Sequence, residues 1–257
     1  MADFVNDVIH GDCLEEMKQI EDGSVDMILC DLPYGTTACK WDSMIPFEPL
    51  WDHYKRVIKK KGSIVLTASQ PFTTALISSN MDWFKYCWVW NKCFAGNFVL
   101  ANKRPMKTHE DVIVFCQKQS QYYPQMTKRS KPIKKGGHKL TAAIPISQSK
   151  KDFEFGKMEK TYDLKHPTSQ ITFSCREGRG LHPTQKPVKL FEYLIKTYTS
   201  EGETVLDNCA GSGTTGIACM NTNRNFILIE KEEKYIEVIN KRLKENQGLR
   251  PFLGDEK

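Results

Sequence analysis

No Cys-x-x-Cys pair occurs among the nine cysteines of this 257-residue sequence, and their total is odd. That scatter speaks against a disulfide framework and a zinc site, and for a reducing compartment. No uncharged run approaches the length that crosses a bilayer, and Met1-Ala2-Asp3-Phe4 does not begin a basic segment followed by an apolar one. A cytoplasmic chain with no membrane partner is therefore expected. Acidic residues are absent between Asp111 and Asp152, where Lys118, Lys128, Arg129, Lys131, Lys134, Lys135, Lys139, Lys150 and Lys151 all fall, beside Tyr122 and Tyr123. Such a stretch is either a solvated loop or an insertion that tracks phosphates. The net charge of +6 favours a polyanionic partner. No internal repeat is visible, and the length suffices to bury a core without covalent staples.

What is present alternates between two periods. Asp7 to His10 reads as a strand, and Asp12 stands where an N-cap belongs, with Glu15 three residues on, opening a helix through Leu14 and Met17. Val25 to Cys30 is an apolar run ending in Asp31, as in a buried parallel strand. From Phe47, the residues Leu50, Trp51, Tyr54, Val57 and Ile58 recur at helical spacing, and Lys59-Lys60-Lys61-Gly62 reads as the positive last turn with a glycine stop. Ser63 to Thr67 predicts a strand, Pro71 a helix start, and Tyr86 to Trp90 and Val112 to Cys116 two strands joined by a long loop. Pro187 opens a helix with Val188, Phe191, Leu194, Ile195 and Tyr198 on one face. Thr204 to Leu206 is a strand, a helix starts near Thr215, Phe226 to Ile229 is a strand ending in Glu230, and Tyr235, Val238, Ile239 and Leu243 mark a last amphipathic helix. The alternation implies an α/β fold with a mostly parallel sheet covered on both faces.

Two motifs carry chemistry. Gly211-Ser212-Gly213-Thr214-Thr215-Gly216 follows the strand ending in Asp207 and matches the glycine pattern of nucleotide-binding turns, with Glu230 placed to grip a ribose. Because the turn comes late, a dinucleotide fold would need its remaining strands from the N-terminus, whereas S-adenosylmethionine suits the same turn. Glycines serving only tight strand-to-helix packing are the alternative. The second motif is Asp31-Leu32-Pro33-Tyr34-Gly35. An exocyclic aromatic amine is a poor nucleophile, since its lone pair is delocalised. Two fixed acceptors, the Asp31 carboxylate and the Leu32 carbonyl held extended by Pro33, would draw that nitrogen toward tetrahedral geometry, while Tyr34 stacks on the base. A plain strand-ending turn is the competing explanation.

With the catalytic block first and the cofactor turn last, the sequence resembles the β class of amino-DNA methyltransferases, phage or restriction-modification type, over nearly its whole length. His182-Pro183-Thr184-Gln185-Lys186-Pro187 and His109-Glu110-Asp111-Val112-Ile113-Val114-Phe115 add to the likeness. The resemblance implies a circularly permuted Rossmann-like sheet that uses S-adenosylmethionine, with residues 1–117 as catalytic half, 118–174 as a target-recognition insertion and 175–257 as cofactor half. It sets Asp207, Gly211, Ser212, Gly213 and Thr214 beside the methionine part of the cofactor, Glu230 at its ribose, Asp12 and Cys13 at its adenine ring, and Thr184 and Lys186 at its carboxylate. Lys128, Arg129, Lys131, Lys134, Lys135 and Lys139 would meet double-stranded DNA. A second copy of the chain and a cognate endonuclease are further implied partners, in a bacterial or phage-infected cell. Asp at the head of the catalytic block resembles adenine-N6 enzymes; cytosine-N4 or RNA methylation, and a catalytically inactive nucleic-acid-binding protein, are the alternatives. No Pro-Cys dipeptide occurs, against carbon-5 cytosine chemistry. Leu32 stands where proline is more frequent, and Cys209 where phenylalanine is common.

Overall fold

The computed structural model describes residues 4–35, 43–96, 98–135, 160–176 and 185–249. Strands β1 (Asp7–His10), β2 (Val25–Cys30), β3 (Ile58–Ala68), β4 (Phe84–Gly96), β5 (Lys107–Phe115), β6 (Thr127–Lys135), β7 (Lys160–Lys165), β8 (Gln170–Thr172), β9 (Thr204–Asp207) and β10 (Asn225–Glu230) are interleaved with helices α1 (Cys13–Glu16), α2 (Phe47–Val57), α3 (Phe72–Ser79), α4 (Val188–Tyr198), α5 (Thr214–Asn221) and α6 (Glu233–Leu249). Eight strands form one sheet in the order β1-β10-β9-β2-β3-β5-β4-β8. The first five run parallel, β5 is antiparallel to both its neighbours, and β8 is parallel to β4. The late strands β9 and β10 thus sit between the early strands β1 and β2, which is the permuted, Rossmann-like α/β arrangement expected.

Alternation along the central strands sorts the core into two layers. Met27, Leu29, Val65 and Val205 face α4, α5 and α6, while Ile28, Cys30, Ile64 and Leu206 face α1, α2 and α3. Register preserves the sorting, because Ile28 lies opposite both Leu206 and Ile64. Both faces are apolar because both are covered, and each of these side chains is fully buried. At about 1.5–3 kcal/mol per buried aliphatic side chain, these layers dominate the stability of the sheet.

Two expectations need correction. Helix α2 stops at Val57, and Lys59 to Gly62 belong to β3 instead of a basic last turn. Ile58 pairs with Val25 ahead of a register shift, and a Cβ at Gly62 would lie 2.7 Å from the Asp26 carbonyl oxygen, so Gly62 serves a close backbone approach and not a helix cap. The connection after Trp90 is shorter than expected, because β4 and β5 continue as a ladder as far as the Gly96–Lys107 pair. One compact unit holds the eight-stranded sheet and the other spans Pro124–Pro167. Residues near both ends of the expected insertion belong to the first unit: Tyr123 donates its backbone N–H to Thr197, and Ile171 in β8 is buried against the sheet.

Within the smaller unit, β6 and β7 form an antiparallel ribbon, and Arg129 Nε donates to the Leu164 carbonyl at 3.1 Å. The ribbon carries Lys128, Arg129, Lys131, Lys134 and Lys135 on β6, while Lys139 lies outside the described residues. No helix among the described residues is long and apolar enough to cross a membrane.

Candidate active site

The carboxyl ends of the five parallel strands form one edge of the sheet. Across that edge, in sheet order, stand Asp12 beyond β1, Glu230 ending β10, Asp207 ending β9, Asp31 just past β2 and Ser69 just past β3. The chain moves one way from β9 to β10 and the other way from β2 to β3, so a switch-point crevice opens between Asp207 and Asp31. A cleft of about 1110 Å³ lies there, lined by Asp31, Leu32, Pro33 and Tyr34 on one side and by Asp207, Gly211, Ser212, Thr214 and Glu230 on the other. Asp12, Cys13 and Lys186 line it as well.

Asp31 is held from three directions. Its Oδ1 accepts from Tyr34 Oη at 2.8 Å and from the Thr67 hydroxyl on β3, and its Oδ2 accepts from Lys186 Nζ at 2.5 Å. The Tyr34 ring is stacked on Phe72, with centroids 5.0 Å apart and planes 24° from parallel. Leu32 is almost fully buried in the core beneath, so its side chain anchors the turn that a proline would otherwise stiffen.

Lys186 is the point of departure from expectation. Its ammonium, buried, bridges Asp31 to Glu110 Oε2 at 3.6 Å, and Glu110 Oε1 in turn accepts from Lys92 Nζ at 2.6 Å. Burial alone would depress Lys186, but Asp31 and Glu110 outweigh it and hold the ammonium above its ordinary range. Burial likewise works to raise Glu110, and Lys186, Lys92 and Lys107 outweigh it, holding the carboxyl below the usual glutamate range. The result is an alternating chain of four charges from Asp31 to Lys92. Sequence reasoning missed Glu110 and Lys92, and it gave Lys186 a different neighbour. Glu110 lay within a motif noted only for its family likeness, and nothing in local spacing shows that positions 31, 110 and 186 converge.

The other half of the cleft is acceptor-rich. Burial pushes the Asp207 carboxyl up to about 6 against donors from Thr215 Oγ1 and the Cys209 N–H, the latter at 3.1 Å. Glu230 receives the N–H groups of Gly211 at 2.7 Å and Glu232 at 2.8 Å, one on each oxygen, and burial still raises it. Each of its oxygens retains a lone pair for a ligand hydroxyl. Gln185 Oε1, lining the cleft, is buried and accepts no hydrogen bond from the described residues. Asp12 caps α1 through the Leu14 N–H at 3.0 Å and pairs with Lys231 at 3.0 Å. The neighbouring Cys209 thiol, together with burial, pushes the Cys13 thiol up and keeps it neutral. Cys209 is the residue that stands where the family resemblance would set a phenylalanine.

Gly211 and Gly213 both adopt positive φ, 54° and 77°. Gly211 faces the cleft, but a Cβ on Gly213 would lie 3.0 Å from Ile239 Cγ1 on α6. Gly213 therefore serves the turn and its packing on α6, and the ligand side is left to Gly211, Ser212 and Thr214. Thr184, with His182 and Pro183, lies outside the described residues.

A permuted sheet with a carboxylate block facing a glycine turn across the switch point defines an α/β enzyme of the methyltransferase type. The chain belongs to the DNA methylase family, whose model matches residues 25–241. It is 29% identical to the type II methyltransferase M.HinfI of Haemophilus influenzae, covering 95% of this chain and 69% of that relative. It is also 29% identical to the DNA adenine methyltransferase YhdJ of Escherichia coli, covering 92% of this chain and 82% of the other. Among solved structures, the M1.HpyAVI–SAM complex superposes with a TM-score of 0.58 at 21% identity, covering 92% of this chain and 97% of that one. The cytosine-N4-specific PvuII DNA methyltransferase gives 0.65 at 15% identity, covering 95% and 91%. These two likenesses show a shared fold.

Proposed function

We propose that the chain transfers a methyl group from S-adenosylmethionine to the N6 amino group of adenine in double-stranded DNA. The observation that carries the proposal is the fixed Asp31 carboxylate, at the mouth of β2, facing the glycine turn across one cleft. The ligand would bring a sulfonium, an ammonium and two ribose hydroxyls, and the cleft offers them Asp207, Gln185 Oε1 and Glu230 as acceptors. Asp12 and Cys13 would border its adenine ring, Gly211, Ser212 and Thr214 its methionine part, and Thr184 its carboxylate. When bound, the cofactor supplies an electrophilic methyl group.

The residues of the chain do the rest. Asp31 and the Leu32 carbonyl accept the two N–H groups of the target amine, exposing its lone pair. The fixed carboxylate also stabilises the positive charge that develops on that nitrogen and stands ready for the departing proton. Tyr34, backed by Phe72, supplies the stacking surface for a base turned out of the helix. Lys186, placed on Asp31, keeps the carboxylate oriented.

The unit spanning residues 124–167 we assign to target recognition, with Lys128, Arg129, Lys131, Lys134, Lys135 and Lys139 on phosphates. DNA as substrate implies a cytoplasmic location, and type II relatives suggest a cognate endonuclease sharing the recognition sequence. Pairing of two copies would be read from sedimentation. Long-read sequencing of DNA from cells expressing the chain tests the whole: adenines modified within one recurrent sequence support it, and their absence refutes it.

A further inference from the structure

The β4–β5 hairpin carries a feature that the chemistry above does not use. Past the Gly96–Lys107 pair, its tip makes a 3-10 turn at Phe98–Leu100, closed by backbone N–H groups of Ala101 onto Phe98 at 2.9 Å and of Lys103 and Arg104 onto Leu100 at 2.9 and 3.0 Å. The turn is ordered by its own hydrogen bonds, yet it presents Phe98 at 79% exposure and Val99 at 94%. No other large apolar side chain among the described residues is so exposed. Leaving two such side chains in water is costly in a monomer unless they meet a partner.

The surroundings select that partner. No acidic residue occurs between Asp82 and Glu110, while Lys103 and Arg104 follow the tip directly. Arg104 and Lys107 also line the cleft that holds Asp31. An apolar point followed directly by Lys103 and Arg104, at the rim of a cleft that receives a base, is complementary to a duplex with a gap in its stack.

We propose that the hairpin tip is a wedge: Phe98 and Val99 enter the base stack at the position vacated by the target base, while Lys103 and Arg104 grip the flanking phosphates. This rests on the methyltransferase reading, since only an extruded target leaves a gap to fill. The wedge offsets the lost stacking and lengthens the time the base spends in the cleft.

The test uses the full chain carrying Phe98→Ser and Val99→Ser together, both exposed positions, with unchanged thermal midpoint and unchanged calorimetric S-adenosylmethionine affinity as controls. The substrates are two duplexes containing a site mapped with the wild type, one fully paired and one with an abasic nucleotide opposite the target adenine. The double variant should lose roughly tenfold or more in kcat/KM on the paired duplex, where extrusion must be driven, and stay within about threefold of wild type on the abasic-opposed duplex. Equal losses on both duplexes, or no loss on either, would overturn the wedge. Failure of the methyltransferase reading shows separately and earlier, as a wild type that leaves no modified site to map.

Discussion

Replacing Asp31 by asparagine removes the charge of the carboxylate proposed as catalytic while keeping its shape, and the structure shows why this substitution is more informative than alanine. Asp31→Ala would strand the Lys186 ammonium, whose side chain is only 9% exposed, with Glu110 at 3.6 Å as its remaining partner. Breaking a buried pair from one side costs about 3–5 kcal/mol, toward the low end here because Glu110 persists, so lost activity could be lost folding. Asparagine leaves an amide oxygen for Tyr34 and Thr67 and fills the space that alanine would empty, while Lys186 keeps Glu110. What it cannot supply is the negative charge opposite the nitrogen as positive charge develops there. A preorganised group of this kind is worth about 3–4 kcal/mol in the transition state, or roughly a hundredfold to a thousandfold in rate. Single-turnover methylation of a mapped duplex with labelled cofactor measures that rate, and calorimetry follows cofactor affinity, which should stay within about twofold because nothing on the Asp207 side changes. A variant that methylates at near wild-type rate would remove Asp31 from the chemistry.

Further outcomes follow from the same geometry. Because burial lifts Asp207 from 3.8 to about 6, the protonated form is favoured in the folded chain. Its stabilising contribution is therefore full below about pH 4 and falls as pH rises toward 6, while affinity for a cationic cofactor moves the opposite way, weakening below about pH 6; calorimetry between pH 5 and pH 8 should show this in the wild type and not in Asp207→Asn. Gly213→Val should lower the thermal midpoint through positive-φ strain and contact with Ile239 on α6, not by occupying the cleft, so a folded variant of unchanged stability would contradict the placement of that turn. Neutralising Lys131, Lys134 and Lys135 together should weaken DNA binding and reduce the slope of log affinity against log salt by roughly three units, with cofactor affinity unaltered; an unchanged slope would remove those lysines from the DNA contact.

The two periods of the sequence made the fold legible. Runs such as Val25 to Cys30 and Phe226 to Ile229 are apolar at every position because helices cover both faces, and the late glycine turn announced the permuted strand order. The start of β3 was hidden, since Lys59, Lys60 and Lys61 look like a helix terminus until Val25 is seen to pair with Ile58. At the site, Asp31, Tyr34 and the glycine turn were readable because each motif is local. Lys186 was readable as a site residue but not in its partner. The buried pairing of Lys186 with Asp31 and Glu110 joins positions far apart in sequence, and only the folded sheet brings them together. The turn at Gly213 taught the converse, since its glycine pattern was visible but the direction of its absent side chain was not.

The most direct test is nucleoside mass spectrometry of unmethylated duplex DNA incubated with the chain and S-adenosylmethionine carrying a deuterated methyl group, with Asp31→Asn alongside. The deuterated methyl should appear on the N6 of deoxyadenosine with the wild type and be nearly absent with the variant. Label on the N4 of deoxycytidine, no label in the DNA, or equal labelling by both proteins would contradict the account.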